Sequence, residues 1–108
     1  MEIIVRFHPS VLLYLNDLVD VLFYENYFSV KESAIDYVVK LIDLVENQID
    51  KKKHHITPQS VSVYGEYLIN LKINPKTTWY FVFNKNENQY LVSYVFNNYS
   101  KEAKYLNL

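Results

Sequence analysis

The apolar residues of this 108-residue chain change their spacing near Pro58, and that change constrains the fold more than any other feature. Between Pro9 and Pro58 they recur every three or four residues, which is the period of an α-helix. After Pro58 they alternate with polar residues or fill short runs, as in a strand. Ile3, Val5 and Phe7 alternate in the same way at the start. The sequence therefore predicts one strand over residues 2–8, then helices, then a sheet.

Two amphipathic helices are predicted between the first strand and Pro58. Pro9 suits a first helical position, where its missing N–H is not needed. The first helix is expected to end near residues 26–27, and its apolar stripe comprises Val11, Leu12, Leu15, Leu18, Val19, Leu22 and Phe23. Ser29 and Glu32 have the spacing of a capping box at the start of the second helix. The second stripe comprises Ala34, Tyr37, Val38, Leu41, Ile42, Val45 and Ile49.

The strands after Pro58 are predicted to form an antiparallel meander. Residues 54–60 form a connector, and the next strand places Tyr67, Ile69, Leu71 and Ile73 on one face. Residues 77–83 are apolar on both faces and predict the central strand. Residues 84–88 form a hairpin loop, and residues 90–96 form the return strand. The fold class is α+β: an N-terminal strand, an antiparallel helical hairpin and a three-stranded antiparallel meander forming one curled sheet, within a single domain over residues 1–108.

The composition excludes several classes of function. Gly65 is the one glycine, which excludes glycine-rich phosphate loops and dinucleotide fingerprints. Without cysteine, disulfides, thiolate metal sites and cysteine nucleophiles are excluded. His54 and His55 lack neighbouring ligands, so we expect no metal and no cofactor. Apolar runs of about five residues and a start without signal-peptide character predict a cytoplasmic protein without membrane contact.

Charge is segregated along the chain although it nearly balances overall. Residues 1–50 carry nine acidic and three basic side chains, whereas residues 51–108 carry eight lysines and three glutamates. If the halves form different faces, one face attracts a polyanion. The alternative is that this distribution of surface charges arose by random substitution and has no function. Arg6 is the one arginine, and arginine is the preferred residue for bidentate phosphate contact.

Four segments stand out as strings: residues 27–34 (YFSVKESA), 64–67 (YGEY), 77–84 (TTWYFVFN) and 95–103 (VFNNYSKEA). With the element order, they resemble the RelE/ParE superfamily of toxins from type II toxin–antitoxin systems, the plasmid stabilisation group, and the resemblance covers most of the chain. In the last segment, Tyr99 stands where histidine is usual. The resemblance implies a RelE/ParE-like fold and an antitoxin protein as partner.

The resemblance also implies one of two actions. RelE-like members cut mRNA on the ribosome with the substrate's own 2′-hydroxyl as nucleophile and without a metal, whereas ParE-like members inhibit DNA gyrase. For an endoribonuclease, the catalytic candidates are Tyr99, Lys72 and Lys101. The RNA-binding candidates are Lys76, Asn97, Asn98, Lys51, Lys52 and Lys53.

Other interpretations of these residues stay open. A non-catalytic toxin that binds a protein such as gyrase is indicated by a meander without arginine or histidine. A third possibility is an inactive family member that serves as a binding module. Lys51 to Lys53 are also typical of the last turn of a helix, where cations suit the dipole. Asn97 and Asn98 also suit a turn.

Overall fold

The computed structural model describes residues 2–25 and 28–106 and has an α+β fold. In chain order its elements are β1 (Ile4–Phe7), α1 (Pro9–Tyr24), α2 (Lys31–Gln48), β2 (His55–Ile56), the 3-10 helix η1 (Gln59–Tyr64), β3 (Tyr67–Asn74), β4 (Thr77–Asn86), β5 (Gln89–Asn97) and the 3-10 helix η2 (Lys101–Tyr105). The strands form one sheet in the order β1-β5-β4-β3-β2. β1 runs parallel to β5, and the other pairs are antiparallel.

The strand β4 lies at the centre of the sheet, as its two apolar faces predict. Trp79, Phe81 and Phe83 are buried on the face covered by the helices, and Val82 is buried on the opposite face. A strand with neighbours on both sides and apolar residues on both faces requires cover above and below the sheet. The helices therefore pack on one face of the sheet, and the 3-10 helices pack on the other.

The helical hairpin covers the first face of the sheet. The apolar stripes of α1 and α2 point inward except at Leu12, which is 49% exposed and was wrongly predicted as part of the stripe. Val11, Leu15, Val38 and Leu41 pack in one cluster with the aromatic side chains of β4. Pro9 opens α1 as predicted, and the ring of His8 caps the helix by accepting a hydrogen bond from Ser10 N at 3.1 Å. No helix in residues 2–25 or 28–106 combines the length and the apolar character that a membrane crossing needs.

The second face of the sheet is covered by the two 3-10 helices. Val61 of η1 is buried against Leu68, Val82 and Phe96, and Ala103 and Leu106 pack on the same cluster. The topology therefore differs in detail from a bare three-stranded meander. The sheet has five strands, is mixed and is apolar on both faces.

The predicted connector over residues 54–60 is wrong in one part, since it contains β2. Thr57 explains the difference, because it holds this segment against the start of β3. Its backbone N–H donates to Glu66 O at 3.0 Å, and its hydroxyl lies 2.7 Å from Gly65 O and 3.0 Å from Glu66 O. Pairing of His55 with Leu68 follows from this attachment.

The predicted capping box is also wrong. The N-cap of α2 is Val30, with extended backbone angles and no side-chain capping bond. Ser29 lies one residue too early and Glu32 therefore occupies the second helical position, so the reciprocal bonds cannot form. The predicted end of α1 falls on residues 26–27, which lie outside the described residues; α1 itself ends at Tyr24.

The position predicted for the three lysines at the end of α2 needs a similar correction. The helix ends at Gln48, and Lys51 to Lys53 follow it in a turn. Gln48 O accepts hydrogen bonds from the backbone N–H groups of both Lys51 and Lys52, which closes the helix. The lysines therefore lie beyond the last helical turn.

Gly65 is required by a close approach between two backbone segments. A Cβ atom at this position would lie 2.8 Å from both the carbonyl carbon and the carbonyl oxygen of Phe83. The obstacle is backbone of the central strand, which cannot rotate away as a side chain would. The one glycine of the sequence therefore stands where η1 meets β4.

We expect Gly65→Ala to destabilise the fold, because the added methyl group forces β4 and the η1–β3 junction apart. The cost expected for such overpacking is about 1–3 kcal/mol in the free energy of unfolding, measured by urea denaturation. Ser33→Ala, on an exposed position of α2, is the control. Equal midpoints for the two variants would show that the approach to Phe83 is not tight.

Candidate functional site

Four sequence-predicted site residues meet where the β3–β4 turn adjoins the end of β5. We call Lys76, Asn97, Asn98 and Tyr99 the sheet corner. Asn98 fixes this arrangement through both polar atoms of its side-chain amide. Oδ1 accepts a hydrogen bond from Thr78 N at 2.9 Å, and Nδ2 donates one to Lys76 O at 3.1 Å. Its own backbone N–H donates to Thr78 O at 3.0 Å. Asn98 thus continues the β4–β5 pairing beyond the end of the strand.

Tyr99 lies over the β3–β4 turn and presents its ring to solvent. Its hydroxyl donates to Lys76 O at 2.8 Å, and its backbone N–H donates to Asn97 Oδ1 at 2.9 Å. The side chain is nevertheless exposed over 68% of its surface. Because the single hydroxyl hydrogen is held by the carbonyl of Lys76, the exposed ring is the part of Tyr99 that is free to contact a ligand.

Lys76 supplies positive charge at the sheet corner, and Lys72 lies nearby in β3. Lys72 pairs with Thr78 in the β3–β4 register and is exposed on the second face. Lys76 lies in the turn itself, and its backbone N–H donates to Asn74 Oδ1 at 2.9 Å. These lysines can contact a phosphate or a carboxylate as point charges.

The remaining predicted lysines lie elsewhere. Lys101, in η2, lines a separate cavity of the second face together with Tyr64 and Tyr94. Lys51 to Lys53 precede β2, which pairs with the beginning of β3, whereas the sheet corner adjoins its end. An eight-residue strand spans roughly 25 Å. The structure therefore separates these three lysines from Tyr99 by about the length of the sheet.

The charge segregation of the sequence coincides with the layers of the fold. α1 and α2 together carry six acidic side chains and two lysines. The strands, turns and η2 of the sheet side carry five lysines and three glutamates: Lys72, Lys76, Lys85, Lys101, Lys104, Glu66, Glu87 and Glu102. At the far end, burial first and then the charges of Lys53 and Lys52 lower the pKa of His55. A polyanion is therefore attracted to the sheet side and repelled by the helical layer.

An aromatic cleft of about 390 Å³ opens beside the sheet corner, between α1 and the end of the sheet. Its walls include Tyr14, Trp79, Asn97 and Tyr99. The Trp79 indole donates to Tyr37 Oη at 2.9 Å, which satisfies its polar atom inside the cleft. The cleft offers apolar surface to a partner next to the charged corner.

A second cavity, of about 590 Å³, lies at the edge of β5 and was not predicted from the sequence. We call it the edge cavity. Tyr14, Tyr64 and Tyr94 line it from three different elements. The cavity therefore cannot be predicted from the spacing of residues in any one segment. The rings of Tyr64 and Tyr94 stack at 4.1 Å with an interplanar angle of 5°, and Tyr94 Oη donates to Glu102 Oε2 at 3.2 Å.

Two phenols of the edge cavity, those of Tyr14 and Tyr94, resist ionisation. Burial first, and then the charge and hydrogen bond of Glu102, raise the pKa of Tyr94 to about 12. Burial first, and then the charge of the same carboxylate, also raise the pKa of Tyr14.

Within the part of the chain that the structure describes, no three histidine, aspartate or glutamate side chains converge as a metal site would require. Comparisons with known proteins identify no relative: no family model, no curated protein and no solved structure matches the chain.

Asn98→Ala should destabilise the protein by roughly 1–2 kcal/mol, because the backbone groups of Thr78 and Lys76 both lose their side-chain partner. Urea denaturation measures the change in the free energy of unfolding. Asn47→Ala removes a single exposed bond to Asp43 O in α2 and serves as the matched control. Similar effects of the two substitutions would contradict a structural role of Asn98 at the corner.

Tyr94 should make stability fall at alkaline pH. A phenol whose folded pKa is about 12 and whose ordinary pKa is 10.0 favours the folded state fully below pH 10, and that contribution is lost as the pH rises towards 12. In Tyr94→Phe, the free energy of unfolding should therefore fall less between pH 10 and 12 than in the parent protein. Tyr24→Phe, at a 71% exposed position, should retain the parental slope. Parallel curves for parent and Tyr94→Phe would contradict the shift.

Proposed function

We propose that this chain is the toxin component of a type II toxin–antitoxin system, with a RelE/ParE-like fold. The proposal is supported by the chain order of one strand, a helical hairpin and three consecutive antiparallel strands, together with the residue strings named above. The observation that carries it is the sheet corner. Lys76 and the exposed ring of Tyr99 meet there on the β3–β4 turn, and Lys72 lies four residues earlier in β3, so the corner carries positive charge that attracts an RNA strand.

The favoured activity is ribosome-dependent cleavage of mRNA. In this mechanism the 2′-hydroxyl of the substrate loses its proton to water and attacks the adjacent phosphate. The bond from phosphorus to the 5′-oxygen breaks, a 2′,3′-cyclic phosphate forms, and the leaving 5′-oxygen takes a proton from water. Lys72 and Lys76 stabilise the negative charge on the phosphate, and no metal is needed. Tyr99 acts through its ring, which stacks on a base and positions the nucleotide, because its hydroxyl hydrogen is held by the backbone. Asn97 and Asn98 position Tyr99 and the turn.

Lys101, a catalytic candidate in the sequence analysis, is not assigned a catalytic role in this proposal. Its position in η2, on the second face, associates it with Tyr64 and Tyr94 and not with the Tyr99 turn. We assign it to the positive field of the sheet side, together with Lys104. Lys51 to Lys53 contribute to that field from the opposite end of the sheet, where they can contact a large RNA but not the reacting nucleotide.

A second candidate is a non-catalytic toxin that binds a protein such as DNA gyrase. Two observations favour it: the Tyr99 hydroxyl is engaged, and the meander contains neither arginine nor histidine. The aromatic cleft next to the corner suits a protein partner. In either case we propose an antitoxin that neutralises the chain by covering the corner and the cleft.

Expression of the chain alone should arrest growth of a bacterial host, and co-expression of the protein encoded by the adjacent reading frame should restore growth if that protein is the antitoxin. Mapping of transcript 5′ ends should then show new cuts in phase with codons. Tyr99→Ala should reduce cleavage by roughly tenfold or more, as expected for loss of a stacking contact of about 1–3 kcal/mol. Tyr99→Phe should retain cleavage, because the ring remains.

Lysine variants provide the matched control. Lys76→Ala should impair cleavage, whereas Lys52→Ala, at the far end of the sheet, should have a much smaller effect. Arrest with normal transcripts and impaired supercoiling would favour the gyrase-binding alternative. Unimpaired growth on expression of soluble, folded protein would reject a toxin and leave a binding module.

A further inference from the structure

The strand β1 leaves one edge of the sheet open. It stands first in the sheet order and, among the described residues, has a strand neighbour on the β5 side alone. The backbone N–H groups of Ile4 and His8 donate to carbonyl oxygens on that side at 2.9 and 2.8 Å. Because backbone groups alternate in direction along a strand, those of Ile3 and Val5 point to the open edge. They are available to a further strand.

The side chains of this segment alternate between a packed face and an exposed face. The odd-numbered side chains of residues 3–7 pack on the cluster beneath the helices. Glu2, Ile4 and Arg6 lie on the opposite face and are exposed, Ile4 over 41% of its surface. Asn88 Nδ2 donates to Glu2 O at 2.8 Å, which keeps Glu2 in line with β1. The exposed face of the edge therefore presents an acid, an apolar residue and a base at every second position.

This order of side chains is complementary to itself when two copies of the edge run antiparallel. With Ile4 opposite Ile4 of a second copy, Glu2 of each copy lies opposite Arg6 of the other. The same register pairs Ile3 with Val5 of the second copy, and the backbone groups of both point to the edge, as a hydrogen-bonded pair requires. The two Ile4 residues form a non-hydrogen-bonded pair, in which side chains approach most closely.

Other registers do not match the charges. A displacement by two residues places Ile4 opposite Arg6 in one direction and opposite Glu2 in the other. A displacement by one residue would pair backbone groups that point to the edge with groups that point to β5. The register centred on Ile4 is therefore the one that opposes acid and base and also satisfies the backbone.

The charged groups of the edge lack a partner within one copy. In the part of the chain that the structure describes, the one ion pair joins α1 to α2 and involves neither Glu2 nor Arg6. Arg6 is the one arginine of the sequence, and it lies in register with Leu91 of β5, which is 42% exposed. A second copy therefore supplies an opposite charge to both residues and covers apolar surface at Ile4 beside them.

We propose that the chain forms a symmetric dimer in which β1 of each copy pairs antiparallel with β1 of the other, centred on Ile4. The two five-stranded sheets then join into one sheet, and two Glu2–Arg6 ion pairs flank the central Ile4 pair. The register uses residues 2–6, so the turn into α1 at Pro9 lies outside it. This inference goes beyond the proposed toxin activity and depends on none of the residues of the sheet corner.

Sedimentation equilibrium of the full-length chain tests the pairing. A strand pair of this length is a small interface, so we expect a dissociation constant in the micromolar range. Arg6→Glu and Glu2→Arg each turn two attractive contacts per dimer into repulsive ones and should raise that constant roughly fivefold or more. The double variant Glu2→Arg/Arg6→Glu restores opposite charges and should dimerise like the parent. Lys40→Glu, an exposed charge reversal on α2, is the matched control and should leave the constant unchanged.

Cysteine cross-linking tests the register. The chain contains no cysteine, so Ile4→Cys introduces a single thiol that faces its own copy across the two-fold axis. The Cα atoms of such a pair are about 4.5 Å apart, which is within disulfide range. Gln89→Cys, on the neighbouring position of β5, is the control, because its thiols would lie about 14 Å apart in the dimer. Mild oxidation should therefore cross-link Ile4→Cys roughly tenfold faster or more.

Several results would overturn the inference, with circular dichroism confirming that each variant is folded. One is a parent protein that stays monomeric up to about 1 mM. Another is a dimer whose dissociation constant neither single charge reversal changes, because it would use a different surface. Failure of the double variant to regain dimerisation would exclude the Glu2–Arg6 pairs. Equal cross-linking rates for Ile4→Cys and Gln89→Cys would exclude the register.

Discussion

Burial of the central strand on both faces is the constraint on which the rest of the structure depends. Trp79, Phe81 and Phe83 require the helical hairpin, and Val82 requires a second layer of cover. The two 3-10 helices supply that layer. A chain of this length buries roughly 60–70% of its unfolded surface only when such elements pack closely. The approach of Gly65 to the Phe83 backbone is one consequence of this double packing.

The two candidate sites lie at places where this packing ends. The sheet corner forms beyond the last buried pair of β4 and β5, where Asn98 replaces strand pairing with side-chain bonds. The edge cavity forms where β1 turns into α1 and leaves β5 without a neighbour. Lys76 gives the sheet corner a positive charge, whereas no acidic side chain lines the edge cavity among the described residues.

The sequence predicts what depends on periodicity and misses what depends on tertiary packing. The inward stripes of α1 and α2 and the central position of β4 follow from spacing alone. The convergence of Lys76 with Asn97 to Tyr99 is consistent with strands joined by short turns. The pairing of β2 depends on Thr57, and the start of α2 at Lys31 overrides the Ser29 signal, so neither can be read from local pattern. The edge cavity combines residues from four elements, which only the topology brings together.

The most direct test of the central claim is native-state hydrogen exchange, measured amide by amide. If double burial of β4 holds the fold together, its amides from Trp79 to Phe83 should exchange most slowly, through global unfolding alone. The amide of Thr78 should share much of this protection through its bond to Asn98. Slower exchange in α1 and α2 than in β4, with Thr78 exchanging like an unprotected amide, would contradict the account.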